Sequence, residues 1–313
     1  MALPETGVRM TLAKRKIADL EVSTLCLGTM TFGTPVNETD AVAMVHWALD
    51  HGINFIDTAD IYEGYTRCLG SPGGIAEQFL GKAICDRREK AIITTKAGNP
   101  VDGPNSTADI GRPHLTKQLE RSLSYLQTDY VDIFELHRPD GHTPLEESVA
   151  TVADFIQQGK VRYWGFSNFD VHHIETMLNI CDSHGYPRPA VSQPQFSWLC
   201  REIQEQHIPT CHAAGIAVTP FRVLESGLLT AKYRRGQPNP ANSRGAEDNC
   251  NWLSPPNDAT YDRLEIFETE AAQAGLTPGQ YALKWTLDQP GISSCVVGVK
   301  RIDQIESLIP GCQ

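Results

Sequence analysis

Four polar residues lie at or just after the ends of three short apolar runs in the sequence. FIDTADIY contains Asp57 and Tyr62, TTKAG contains Lys96, and ELHRPD contains His137. A lysine held cationic by a carboxylate would lower the pKa of a nearby tyrosine from its free value of about 10. Such a phenol can act as a general acid, and a histidine beside it would stabilise charge on a carbonyl oxygen. Together the four residue types predict a site that protonates a carbonyl group.

This chemistry requires the three runs to be strands whose carboxyl ends meet. Short β-rich runs alternate with stretches of helical spacing along most of the chain. The predicted strands are 24–29, 54–59, 91–97, 130–137, 161–167, 190–196, 216–221 and 294–298, and the predicted helices include 40–51, 75–85, 115–126, 145–158, 171–181 and 202–214. The alternation predicts an α/β fold, the (β/α)8 TIM barrel, in which polar residues at the strand ends converge on one site.

Two further segments complete the predicted architecture. Residues 9–20 predict a small β-hairpin that caps one end of the barrel. The segment 224–258 is long, polar and rich in Pro, Asn and Gly, and it follows a predicted strand. It therefore predicts a lid or cofactor clamp at the catalytic face. No GxGxxG turn favours an open doubly wound sheet, and no linker is evident, so we expect a single domain over 1–313.

Composition narrows the classes of partner. The 27 basic and 38 acidic residues give a net charge of −11, which disfavours nucleic acid and anionic membrane surfaces. No apolar run approaches the roughly 20 residues that span a bilayer, and no secretory signal is evident, so we expect a cytoplasmic protein. The nine cysteines are scattered without a CxxC pair. They predict reduced thiols and no metal site.

At these motifs the chain resembles the aldo-keto reductase superfamily, from GTMTFG at 28–33 to the last predicted helix. The resemblance implies that Asp57, Tyr62, Lys96 and His137 form the catalytic tetrad. It also implies reduction of an aldehyde or ketone to an alcohol, or the reverse. The hydride would come from C4 of a nicotinamide and the proton from Tyr62, with a small-molecule carbonyl compound as substrate.

The resemblance extends to the cofactor contacts. RYWGFSN and AVSQPQF look like the segments that bind the nicotinamide carboxamide, and TPFRVLESGLLTAKY looks like a pyrophosphate loop. VVGVKRIDQIESLI resembles the strand and helix that receive the adenosine 2′-phosphate. The implied cofactor-binding residues are Gly28, Thr29, Met30, Asp57, Ser167, Asn168, Gln193, Phe221, Arg222, Leu224, Ser226, Gly227, Gly298, Lys300, Arg301 and Gln304.

Several of these positions depart from the family pattern. Phe221 replaces the usual stacking tyrosine, and Arg222 stands where a small hydroxyl residue is more common. Gln304 occupies a position often held by arginine, and Leu308 one commonly held by asparagine. Basic residues before the last helix nevertheless favour NADP over NAD as the cofactor.

The sequence indicates fewer residues for the substrate pocket than for the cofactor site. Met30, Phe32 and Trp164 are the expected apolar wall. EGYTRCLGSPGG, which follows Tyr62, is longer than expected and would add Tyr65 or Arg67 to the rim. The sequence leaves open which carbonyl compound is the substrate. It is compatible with a homo-oligomer.

Two other functions fit part of the pattern. A cofactor-sensing regulatory subunit, similar to the β-subunits of potassium channels, would keep the fold and the tetrad. A Schiff-base aldolase would use Lys96 as its nucleophile, but it would leave the cofactor motifs without a purpose.

Overall fold

The structure, a computed structural model, describes residues 12–246, 253 and 256–312. It begins with an antiparallel hairpin made by β1 (Lys14–Ile17) and β2 (Leu20–Ser23). Eight parallel strands follow within the described residues. They are β3 (Leu25–Gly28), β4 (Phe55–Asp57), β5 (Ile92–Ala97), β6 (Val131–Leu136), β7 (Val161–Ser167), β8 (Val191–Gln193), β9 (Ala217–Val218) and β10 (Cys295–Gly298).

The eight parallel strands close into a barrel. Their order in the sheet is β10-β3-β4-β5-β6-β7-β8-β9. Backbone hydrogen bonds join the two ends of this order, from Val218 N to Gly291 O at 3.1 Å, Ser293 N to Val218 O at 2.8 Å and Val296 N to Pro220 O at 3.0 Å. Each predicted strand overlaps an observed one, and the predicted (β/α)8 barrel is confirmed.

Helices connect the strands and cover the outside of the barrel. They are α1 (Glu38–Asp50), α2 (Ile75–Ile84), α3 (Arg112–Leu126), α4 (Leu145–Gln157), α5 (Val171–His184), α6 (His207–Ala213), α7 (Asp258–Gln273), α8 (Pro278–Leu287) and α9 (Ile302–Glu306). N-capping residues determine where α1, α5 and α7 begin. The side chains of Asn37, Asp170 and Asn257 accept hydrogen bonds from backbone amides in the first turn of these helices. Apolar faces of these helices pack on strands that are themselves buried on both sides.

The helix predicted over 202–214 begins five residues later, at His207. Pro209 explains the difference. A helix that began at 202 would need an amide hydrogen at position 209, which proline lacks, whereas the first turn of a helix needs none there.

The hairpin is present but lies further along the chain than predicted, over 14–23 rather than 9–20. Residues 9–11 of the predicted segment are outside the described residues. The apolar side chains of the hairpin are Ile17, Leu20 and Val22, and they pack on Phe55 and Ile133 in the barrel interior. The hairpin therefore closes the amino end of the barrel and leaves the carboxyl end open.

Two general properties were also expected from the sequence. None of the described helices has the length and apolar composition needed to cross a bilayer. The eight cysteines within the described residues are free thiols, and Cys250 lies outside those residues.

Candidate active site

A cavity of about 1080 Å³ lies at the carboxyl end of the barrel. Its lining includes most of the residues that the sequence analysis singled out for catalysis and cofactor binding. These are Gly28, Met30, Asp57, Tyr62, His137, Ser167, Asn168, Gln193, Phe221, Arg222, Leu224, Ser226, Gly227, Gly298, Lys300 and Gln304. The lining thus combines residues at the carboxyl ends of several parallel strands with residues of the loops that follow the strands.

A buried ion pair forms the floor of the cavity. The Lys96 Nζ lies 2.6 Å from Asp57 Oδ1, and the two side chains are 0% and 3% exposed. The ammonium also donates to the Thr58 carbonyl at 2.8 Å and to the Tyr62 hydroxyl at 3.4 Å. Burial lowers the pKa of Lys96, but the charge and the hydrogen bond of the Asp57 carboxylate outweigh burial, and the pKa is raised overall. Lys96 is therefore a permanent cation.

Tyr62 places its hydroxyl between this cation and the cavity. Burial raises the pKa of Tyr62 to about 12, although the Lys96 charge and hydrogen bond act in the opposite direction. The lowering of the Tyr62 pKa that was predicted from the sequence was wrong, because burial outweighs the effect of the lysine. At neutral pH the phenol holds its proton, so it is a donor, and the lysine makes loss of that proton less costly.

His137 lies on the other side of Tyr62, with the ring centroids 6.0 Å apart and the rings nearly perpendicular. Burial and the positive charges of Lys96, Arg67 and Arg138 hold the pKa of His137 well below its usual range. The imidazole is therefore neutral and offers one N–H as a hydrogen-bond donor. A neutral donor next to the phenol suits a carbonyl oxygen as its acceptor.

Glu135 is a buried acid that the sequence analysis missed. It pairs in register with Lys96 across β5 and β6 and is 0% exposed. Neither of its carboxyl oxygens has a hydrogen-bond partner among the described residues. Burial raises its pKa well above the usual value, Lys96 opposes this, and Asp57 adds to it. Burial therefore favours the neutral form of this carboxyl group. The one sequence signal was an acid within the apolar run VDIFEL.

Ser167, Asn168 and Gln193 form a hydrogen-bonded group beside the tetrad. Gln193 Nε2 donates to Asp57 Oδ1 at 2.7 Å, and Ser167 Oγ donates to the Gln193 carbonyl at 2.6 Å. Asn168 Nδ2 donates to the His137 carbonyl at 3.0 Å and to Ser167 Oγ at 2.9 Å. These bonds use the amide nitrogens of both side chains and leave the amide oxygens as acceptors for a ligand in the cavity.

The loop after β9 has an unusual backbone. Arg222, Glu225 and Ser226 have φ values of 58°, 44° and 55°, in the left-handed region that non-glycine residues rarely adopt. The Glu225 carboxylate is buried and accepts a hydrogen bond from Ser197 Oγ at 2.9 Å, which holds the loop in place. Strain of this kind persists at ligand-binding loops where the surroundings impose it.

The described part of the polar segment 224–258 lies along the cavity. Arg244 Nε donates to the Tyr65 hydroxyl at 2.7 Å, so this segment meets the loop that follows Tyr62. Arg244 also donates to Ser226 Oγ at 3.1 Å, and Lys300 Nζ donates to the Asn242 carbonyl at 3.1 Å. Residues 247–252, 254 and 255 of the predicted lid lie outside the described residues.

Three cations converge in the cavity near Tyr65, where Arg244 Cζ and Lys300 Nζ lie 4.9 and 5.0 Å from the centroid of the Tyr65 ring. Burial, Lys300 and Arg244 all lower the pKa of Lys232, which places the three positive charges near one another. Lys232 and Arg244 were missed in the sequence, because a lysine in a loop motif and an arginine in a polar segment are ordinary there. The convergence of like charges indicates an anion-binding site.

Some predicted residues do not line the cavity. The guanidinium of Arg301 forms an exposed pair with Asp303, with Nε 2.8 Å from Oδ1. Thr29 is buried and donates to the Asp57 carbonyl at 3.0 Å, so it positions the end of β4. Arg67 donates to the carbonyls of Ile61 and Pro100.

The prediction of the apolar wall was wrong for two of its three residues. Met30 lines the cavity. Phe32 and Trp164 are 0% and 1% exposed and belong to the hydrophobic core outside the cavity. The Trp164 indole donates to the Pro187 carbonyl at 2.7 Å, which turns the ring away from the barrel interior.

Comparisons with known proteins agree with this geometry. A model of the aldo/keto reductase family matches residues 24–312. A probable voltage-gated potassium channel subunit beta from Arabidopsis thaliana is 33% identical over 294 residues, covering 92% of this chain and 86% of the relative.

Two solved structures also superimpose over nearly the whole chain. An aldo-keto reductase from Bacillus halodurans, in its holo form, has a TM-score of 0.78 and 27% identity, covering 96% of this chain and 90% of that one. The glycerol dehydrogenase from Gluconobacter oxydans has a TM-score of 0.79 and 25% identity, covering 98% and 91%.

The buried ion pair yields a stability prediction. Lys96→Met leaves the Asp57 carboxylate buried without its cation and should destabilise the fold by about 3–5 kcal/mol. Adding Asp57→Asn removes the second charge and should restore a large part of that loss. Urea unfolding of the two variants and the parent measures this. A double variant no more stable than Lys96→Met would show that the pair is not the source of the cost.

Glu135 yields a pH prediction. Because burial raises its pKa in the folded state, the stability it contributes is present below the unfolded pKa and is lost as pH rises toward the folded pKa. Glu135→Gln removes that loss. Relative to the parent, the variant should therefore gain unfolding free energy between pH 5 and pH 8. The exposed Glu120→Gln is the control, and a difference that stays constant across this range would contradict a neutral Glu135.

Proposed function

The chain belongs to the aldo/keto reductase family, and we propose that it is an NADP(H)-dependent oxidoreductase that reduces an aldehyde or ketone to an alcohol, or runs the reverse reaction. The observation that carries this proposal is the buried Lys96 ammonium, which contacts both the Asp57 carboxylate and the Tyr62 hydroxyl. That arrangement makes Tyr62 a proton donor at the open end of the barrel.

The residues around the cavity fit a nicotinamide dinucleotide. The amide oxygens of Asn168 and Gln193 would accept from a carboxamide, and the Phe221 ring supplies an aromatic face for a nicotinamide ring. At the other end, Lys232, Arg244 and Lys300 supply charge for phosphates. When bound, the cofactor would supply a hydride from C4 to the carbonyl carbon of the substrate.

The chain's own residues supply the rest of the reaction. Tyr62 gives its proton to the carbonyl oxygen as negative charge develops there, and Lys96 stabilises the phenolate that remains. Asp57 keeps Lys96 in position and charged. The neutral His137 donates a hydrogen bond that orients the carbonyl oxygen. In alcohol oxidation the same groups act in reverse, with Tyr62 accepting the proton.

The charge of the cavity favours NADP over NAD. NADP carries a 2′-phosphate where NAD has only a hydroxyl. Three cations at one end of the cavity, in a chain of net charge −11, suit the more highly charged cofactor. Since the described cysteines are free, we further propose that the protein acts in the reducing environment of the cytoplasm.

A regulatory role is the second candidate, and one comparison favours it. The Arabidopsis relative is described as a probable potassium channel subunit, so a related chain is assigned to a partner protein. The aldolase alternative has less support. A Schiff-base lysine needs a lowered pKa and access to substrate, whereas Lys96 is fully buried and its pKa is raised.

Removing the phenol tests the proposed reaction. Tyr62→Phe should lower the rate of NADPH oxidation by an aldehyde about 10²–10⁴-fold, because it removes only the general acid. Tyr163→Phe, whose hydroxyl bonds Asp19 at the other end of the barrel, is the matched control. Turnover is followed at the nicotinamide absorbance, and NADPH affinity by fluorescence titration. Activity of Tyr62→Phe within a few-fold of the parent would contradict the assignment.

Cofactor choice is tested at two adjacent residues. Lys300 lines the cavity, and its replacement by alanine should weaken NADPH binding by about 1.5–3 kcal/mol with little effect on NADH. Arg301 is paired with Asp303, so Arg301→Ala should have the smaller effect. Affinities are compared at one ionic strength because exposed charges are screened by salt. An equal loss for both cofactors in Lys300→Ala would exclude a role in recognising the 2′-phosphate.

A further inference from the structure

We propose that the carbonyl substrate carries a carboxylate group and that Arg138 binds it. This inference rests on the proposed carbonyl reduction and adds the chemical class of the substrate. Arg138 directly follows His137 in the chain and lines the same cavity. It belongs to the motif ELHRPD, in which the residue types alone indicate no role for it.

The charge of the cavity opposes that of the protein. Within the described residues, the cavity is lined by five cationic side chains, Arg138, Arg222, Lys232, Arg244 and Lys300, and by one carboxylate, Asp57. Asp57 is already paired with Lys96. In a chain of net charge −11, such a local excess of positive charge selects anionic ligands.

Four of these cations lie on the cofactor side. Arg222, Lys232 and Arg244 belong to the segment after β9, and Lys300 follows β10. Arg138 is different, because it follows β6 and lies next to the tetrad. Its charge is one of those that hold the pKa of His137 down, so the guanidinium lies within electrostatic range of the imidazole.

No carboxylate in the described part of the chain forms an ion pair with Arg138. Asp140, two residues later, is engaged with the amides of Ile110, His142 and Thr143 instead. The Arg138 side chain is exposed to the cavity mouth and keeps its donors for a ligand. A guanidinium matches a carboxylate with two parallel hydrogen bonds.

The remaining lining residues on this side are neutral. Met30, Ile61 and Pro139 are apolar, and Asn99 offers hydrogen bonds. The substrate that fits is therefore a compact oxo-acid, with its carbonyl at Tyr62 and His137 and its carboxylate at Arg138.

The test compares two aldehydes of similar size, 4-carboxybenzaldehyde and its methyl ester, which differ in charge. With NADPH in excess, the parent should have the higher kcat/KM for the acid. In Arg138→Gln the ratio of kcat/KM for the acid to that for the ester should fall about 10- to 100-fold, mainly through KM. Arg188→Gln, an exposed arginine paired with Asp182, is the control and should keep the parental ratio.

The outcomes separate this inference from the proposed function. If both aldehydes are reduced with equal efficiency and Arg138→Gln does not move the ratio, the carboxylate site is excluded while the reductase stands. A parallel loss for both aldehydes would show that Arg138 only supports the local structure, and would also exclude the site. If the parent reduces neither aldehyde while binding NADPH, the proposed reduction itself fails.

Discussion

The active site depends on keeping one ammonium ion, that of Lys96, in a place that water does not reach. Burying a lone charge costs several kcal/mol, so the ion persists only because the surroundings satisfy it. Asp57, the Thr58 carbonyl and the Tyr62 hydroxyl take its three hydrogens. All three come from β4 and the turn after it. The pairing of β4 with β5 therefore fixes both the stability of the site and the position of its acid.

A second constraint follows from the first. The Lys96–Asp57 pair balances its own charge, and burial disfavours any further charge on the ionisable groups around it. Tyr62 is protonated, His137 is neutral, and burial favours the uncharged form of Glu135, which pairs in register with Lys96. The site is thus prepared for a single event, the transfer of a proton from the phenol. The protein dipoles and the lysine stabilise the negative charge that this event creates.

Charge also divides the cavity into two regions. The cations after β9 and β10 suit the phosphates of a dinucleotide, whereas Arg138 after β6 directly follows His137 and lines the same cavity. Arg244, in the segment after β9, donates a hydrogen bond to Tyr65, in the loop after β4. This contact joins two parts of the chain that are far apart in sequence. Cofactor and substrate would therefore share a cavity whose positive charge contrasts with the acidic surface of the protein.

Local patterns in the sequence were enough to predict the eight strands, the hairpin and the residue types of the tetrad, since periodicity and strand ends are short-range properties. They did not show on which side of a strand a residue lies. In a parallel barrel both faces of each strand are apolar, so Trp164 on β7 could not be distinguished from a cavity residue. Tertiary structure likewise decided the raised pKa of Glu135, the ion pair of Arg301 with Asp303, and the raised pKa of Tyr62. Each depends on burial and on charges brought close by strands that are distant in sequence.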